Sequence, residues 1–187
     1  RSSDLITTWL APHSPYLCDP EFLARCAREA ARLGVGNHIH AAETSGQVTL
    51  SLERYGKTPL QVLADAGILD QPTIIAHCLY PTDQDLDLLV GREVGIAQAP
   101  KTYLAMAMGL ADLPKYLERG IAVGLATDGV VSSSTLDLFE QMRLTALTQK
   151  NKSLNAEVLP VNTVLDLAFQ GGARVLRQSR LGDLKVG

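Results

Sequence analysis

Four histidines, His13, His38, His40 and His77, and two carboxylates, Glu43 and Asp128, are the residues whose types and spacing could do chemistry. Imidazole nitrogens and carboxylate oxygens are donors that suit a borderline divalent cation, and the same groups move protons near neutral pH. His13, His40, Glu43, His77 and Asp128 each follow or close a short apolar run, and Asp128 is followed by Gly129. In His38-Ile39-His40 a period of two puts both imidazoles on the same strand face, pointing either into a barrel or toward its helices. A single strand histidine is ordinarily a hydrogen-bonded core residue, and His38 is read that way. Asp128-Gly129 alone would also suit a plain turn, and Glu43-Thr44 the start of a helix. The set changes the balance, because four of five strands end in a group fit for metal ligation or proton transfer.

Positioning those groups requires elements that end at one place. Short apolar runs alternate with amphipathic helical patterns, the form of repeated βα units and a mainly parallel sheet. Strands are predicted over 5–12, 38–42, 73–77, 94–98 and 121–127. Helices are predicted from Asp19 or Pro20 to Leu33 with Gly34 beyond, over 48–55, and over 59–66 with Thr58 as cap and Gly67 past the end. Thr82 and Asp85 resemble a capping box for the next helix. A loop is expected over 100–110, then helices over 113–119 and 136–149, one from about Pro160 to Phe169, and a short one after Gly171-Gly172 to Leu176. In a parallel barrel, groups that end the strands converge on one mouth although they lie far apart in sequence.

The bulk composition narrows the partners. With 187 residues and 46% hydrophobic content the chain can bury a core as one globular unit. Its 17 basic and 20 acidic residues are scattered, giving a net charge of -3, so neither nucleic acid nor a membrane surface is an expected partner and a small molecule is. Cys18, Cys26 and Cys78 lie inside apolar segments without zinc-ribbon spacing, and no signal-peptide order or membrane-length apolar run is present, so a cytoplasmic location is expected.

His13-Ser14-Pro15-Tyr16, His38-Ile39-His40-Ala41-Ala42-Glu43-Thr44, Ala76-His77-Cys78 and Thr127-Asp128-Gly129 resemble, in order, the motifs of amidohydrolases of the methylthioadenosine/S-adenosylhomocysteine deaminase and triazine chlorohydrolase type. Supporting matches are Arg54-Tyr55-Gly56-Lys57, and Leu136-Asp137 through Glu140, Met142 and Arg143. The resemblance implies an α/β fold, the (β/α)8 TIM-type barrel of metal-dependent hydrolases, of which residues 1–187 would form one domain holding about the last five βα units. It implies hydrolytic deamination of an aminated nitrogen heterocycle, a purine, nucleoside, pterin or triazine, by water activated on one divalent ion, zinc ahead of iron. His40 and Asp128 would bind that metal, and Glu43, His77 and Asp128 would be catalytic. Glu43 would hold and protonate a ring nitrogen, His77 would stabilise the developing charge, Asp128 would accept a proton, and His13 would contact the substrate alongside them.

The first-strand His-x-His pair of the family is missing, as are its first three βα units and flanking β-sandwich, so the chain reads as an interior slice. Two protein ligands are few for tight metal binding, and open sheet edges invite another chain, so a homo-oligomer is expected. Gln98, Tyr103 and Tyr80 stand where relatives often carry histidine, asparagine and histidine, which bears on the substrate. Alternatives are a chlorohydrolase or cyclic amidohydrolase on the same scaffold, or a partial barrel that binds a partner without catalysis.

Overall fold

Capping residues divide the chain into its elements. In the computed structural model, which describes residues 6–186, α1 (Pro20–Leu33) opens where the Asp19 side chain accepts the Phe22 amide at 2.7 Å and closes at Gly34, whose φ of 65° suits glycine. Between β1 (Asn37–Ala41) and β2 (Thr73–His77) run α2 (Ser45–Tyr55), capped by Thr44, and α3 (Pro59–Asp65), which Thr58 and Gln61 start with a reciprocal capping box. Thr82 and Asp85 start α4 (Asp83–Asp87) in the same way, before β3 (Val94–Gln98). Then come α5 (Pro100–Ala105), α6 (Leu113–Glu118) and β4 (Ala122–Leu125). After β4 the chain forms α7 (Val130–Ser133), α8 (Leu138–Ser153), α9 (Val161–Asp166), a π-helical turn (Leu167–Gly171) and α10 (Gly172–Val175).

The four strands are parallel and lie side by side in chain order. Their register sets two adjacent rows across the sheet. Ile39, Ile75, Ile96 and Val123 form one row, each at most 1% exposed, in a core shared with Leu23, Leu60 and Leu63 from the helices. Burying each such aliphatic side chain contributes about 1.5–3 kcal/mol before conformational entropy is counted. One residue further along, His40, Ala76, Ala97 and Gly124 form the next row, which the strand period turns to the opposite face. The C-terminal helical segment approaches this sheet closely. A Cβ on Gly171 would lie 2.2 Å from the Val123 carbonyl oxygen, and one on Gly124 would lie 2.9 Å from the Gly172 Cα, so the contact depends on glycine.

Three expectations need correction. The strand expected over 5–12 is reduced to a parallel bridge between Leu10 and Asn37, with Leu10 donating to Gly36 and accepting from His38, while Leu5 lies outside the described residues. The loop expected over 100–110 begins as α5, because Pro100 occupies the first helical turn and the Tyr103 hydroxyl accepts the Ala99 amide at 2.7 Å. The helix expected from Pro160 to Phe169 changes to π-helix at Leu167, where Gly171 packs on β4.

Candidate active site

The strand ends that bear the candidate residues share a conformation. Ala42 after β1, His77 and Cys78 at the end of β2, and Asp128 beyond β4 have φ values of 49°, 71°, 50° and 61°. Left-handed backbone at non-glycine residues costs of order 1–3 kcal/mol each and persists only where neighbours hold it. The Ala42 carbonyl accepts from the amides of Leu79 at 2.8 Å and Tyr80 at 3.1 Å. The Gln98 side-chain amide donates to the His77 carbonyl and the Tyr116 hydroxyl donates to that of Cys78. These turns swing Glu43 and Asp128 off the strands instead of continuing them along the sheet.

The structure stacks three imidazoles. His13 lies over His40 with centroids 4.6 Å apart, and His40 faces His77 at 5.3 Å, with interplanar angles of 24° and 27°. His40 Nδ1 donates to the His13 carbonyl at 2.7 Å, which fixes the tautomer and leaves Nε2 with a free lone pair. His77 is 4% exposed, its Nε2 lies 3.6 Å from Glu43 Oε1, and its Nδ1 is buried without a protein partner. Burial pushes the His77 imidazole below its ordinary pKa, against an upward pull from the Glu43 and Asp128 carboxylates. The Tyr103 ring meets His77 edge-on at 5.6 Å.

His13, His38, His40, His77 and Asp128 line one cavity of about 280 Å³. Ala76, Ala97 and Ala126 form its small-residue wall, which leaves room above the sheet for a ligand. Glu43 borders it through His77. His38 departs from expectation: it is exposed and lines the cavity below His40 instead of sitting hydrogen-bonded in the core. Gln47 and Tyr16, which the sequence reading missed as site residues, both donate to Glu43 Oε2, at 2.8 and 3.5 Å. Burial and the Glu43 carboxylate raise the Tyr16 phenol above its usual pKa. The signal for Gln47 was its place three residues after Thr44, the spacing of a capping box.

The donor set suits a divalent ion in kind. His40 Nε2 is the available imidazole nitrogen, Asp128 adds a carboxylate, and the unpartnered His77 Nδ1 marks a polar group that packing alone leaves unexplained. Among the described residues, no three His, Cys, Asp or Glu side chains group as a metal-binding set.

A parallel sheet with histidines and carboxylates gathered at the C-terminal strand ends is the arrangement of barrel hydrolases. The Amidohydrolase family profile matches residues 1–187, and the chain belongs to that family. It is 39% identical to a 5-methylthioadenosine/S-adenosylhomocysteine deaminase of Halothermothrix orenii, over all of this chain and 43% of that protein. It superposes on an adenosine deaminase of Xanthomonas campestris with bound zinc at a TM-score of 0.94 and 31% identity, covering 100% of this chain and 43% of the other. Atrazine chlorohydrolase from Arthrobacter aurescens complexed with zinc aligns at a TM-score of 0.87 and 30% identity, over 95% of this chain and 40% of that one. The chain thus spans less than half the length of the relatives it matches.

Proposed function

We propose that the full-length protein is a metal-dependent hydrolase that deaminates a nitrogen heterocycle such as a purine, nucleoside, pterin or triazine. The observation that carries this is a single cavity edge where His40, with Nε2 free, stands beside the paired Glu43 and His77. The 39% identity to a deaminase supports the same reading.

His40 Nε2 and the Asp128 carboxylate would hold one divalent ion, zinc ahead of iron because zinc is bound in the Xanthomonas and Arthrobacter relatives. The remaining ligands would be supplied by other parts of the full-length protein or by water. When bound, the ion supplies Lewis acidity that makes water a nucleophile near neutral pH. Glu43 gives its proton to a ring nitrogen while the water oxygen bonds to the neighbouring amino-bearing carbon. Asp128 takes one water proton and passes it to the amino group, which leaves as ammonia. The remaining hydroxyl proton returns to Glu43, and a ring carbonyl is left. His77 donates toward the new hydroxyl, and His13 at the rim contacts the ring.

The three cysteines are free, which supports a reducing cytoplasmic setting. No helix among the described residues is long and apolar enough to cross a membrane. A homo-oligomer is part of this reading.

Ammonia release by the zinc-loaded full-length protein, screened over purines, nucleosides, pterins and aminotriazines, tests the proposal. At least one aminated ring should release ammonia, and chelation should stop the reaction until zinc is restored. Chloride release from a chlorotriazine without any ammonia would make it a chlorohydrolase. Loaded protein that releases neither overturns the reading.

A further inference from the structure

Glu43 is held by more than its neighbour His77. Its Oε2 accepts the Gln47 side-chain amide at 2.8 Å and the Tyr16 hydroxyl at 3.5 Å, while its own backbone amide donates to Gln47 Oε1 at 3.2 Å. Gln47 thus grips Glu43 at both ends, from the first turn of α2. The left-handed Ala42 just before it, fixed by two amides from the 79–80 loop, sets the direction in which Glu43 leaves β1.

The two carboxyl oxygens are consequently unlike. Oε2 is engaged by the Gln47 amide at 2.8 Å, and the Tyr16 hydroxyl, at 3.5 Å, is too distant to be a good acceptor for a proton placed on it. Oε1, 3.6 Å from His77 Nε2, is the oxygen that can carry the proton. We infer that Gln47, assisted by Tyr16, is the positioning residue that fixes the Glu43 proton on Oε1 and aims it at the substrate ring nitrogen. This rests on the deaminase reading above and assigns residues that reading leaves idle.

Gln47 also belongs to the start of α2, where its backbone amide donates to Thr44 Oγ1 at 3.2 Å, so a purely structural role must be separated from positioning. A double-mutant cycle in the zinc-loaded full-length protein does this, with the aminated ring that releases most ammonia in the screen above as probe and ammonia as the readout. Gln47→Met should lower kcat about tenfold to a hundredfold, the worth of a hydrogen bond to a charged group, with KM and the melting temperature little changed. Tyr16→Phe should cost less, because its contact is longer. In a Glu43→Ala background, followed in single-turnover experiments, Gln47→Met should cost nothing further, since no carboxyl remains to be positioned. An equal loss in both backgrounds would make Gln47 a helix cap alone and overturn the inference. Wild-type kcat in Gln47→Met would also overturn it. The deaminase reading fails separately, if the unmodified protein releases no ammonia or if Glu43→Ala turns over at the normal rate.

Discussion

The two rows that cross the sheet differ by one residue along each strand and do opposite work. Ile39, Ile75, Ile96 and Val123 face the helices and are excluded from water, so their identity is set by volume and burial. His40, Ala76 and Ala97 face the other way, where small side chains leave space and one imidazole projects into it, while Gly124 in the same row packs on Gly172. Stability and chemistry are thus separated across the thickness of a strand. Substitutions on the two rows should therefore fail in different assays.

The largest effect is expected at the strand ends. Asp128→Ala in the full-length, zinc-loaded protein should lower turnover by about 10³ or more, because the proposed metal ligand and proton acceptor would be lost together. Asp128 is exposed and packs against little, so the thermal melt of the variant should stay near that of the parent. A kinetic constant within tenfold of the parent would remove Asp128 from the site.

On the buried row the order reverses. Ile96 is fully buried at the centre of the sheet, and Ile96→Ala should cost about 2–5 kcal/mol in a denaturant titration, from lost transfer energy and a residual cavity. The variant molecules that remain folded should turn over normally. Intermediate in size is Gly171→Ala, whose new Cβ would lie 2.2 Å from the Val123 carbonyl oxygen. Backbone on both sides must give way, at about 1–3 kcal/mol. A melt unchanged by this substitution would mean that the π-helical turn stands further from β4.

Much of this division could be read from residue order. The strands over 73–77 and 94–98 emerged with their observed bounds because short apolar runs are bracketed by Thr, Pro and Gly, and α1 and α3 were legible through Asp19, Thr58, Gly34 and Gly67. The convergence of His13, His40, His77 and Asp128 followed from the rule that strand ends meet in parallel barrels. Three things were hidden. α5 was obscured because Pro100 reads equally as a breaker or as a first-turn residue, and the deciding contact, the Ala99 amide donating to the Tyr103 hydroxyl four residues on, has no local sequence signature. His38 was assigned to the core because a period of two does not say which face is buried. The left-handed turns at Ala42 and His77 left no local signal, since long-range bonds such as the Gln98 side-chain amide to the His77 carbonyl hold His77 there, whereas at Asp128 the Asp-Gly pair suggests a turn.

The smallest stability effect belongs to Ala97, the residue after Ile96 on the same strand. Its side chain lines the cavity with part of its surface open, so Ala97→Val adds two methyl groups to free space instead of to a packed core. β-branching suits a strand, and the melt should shift by no more than the equivalent of about 0.5 kcal/mol. The added volume projects beside Ala76 and Ala126 toward the ground a heterocycle must occupy, so KM should rise several-fold for bulky bicyclic rings and less for monocyclic triazines. Adjacent residues would then divide cleanly, with Ile96→Ala lost in the melt and Ala97→Val lost in substrate affinity. An Ala97→Val protein that loses stability while binding bicyclic substrates normally would place Ala97 in the core and shift the substrate toward the Asp128 side of the cavity.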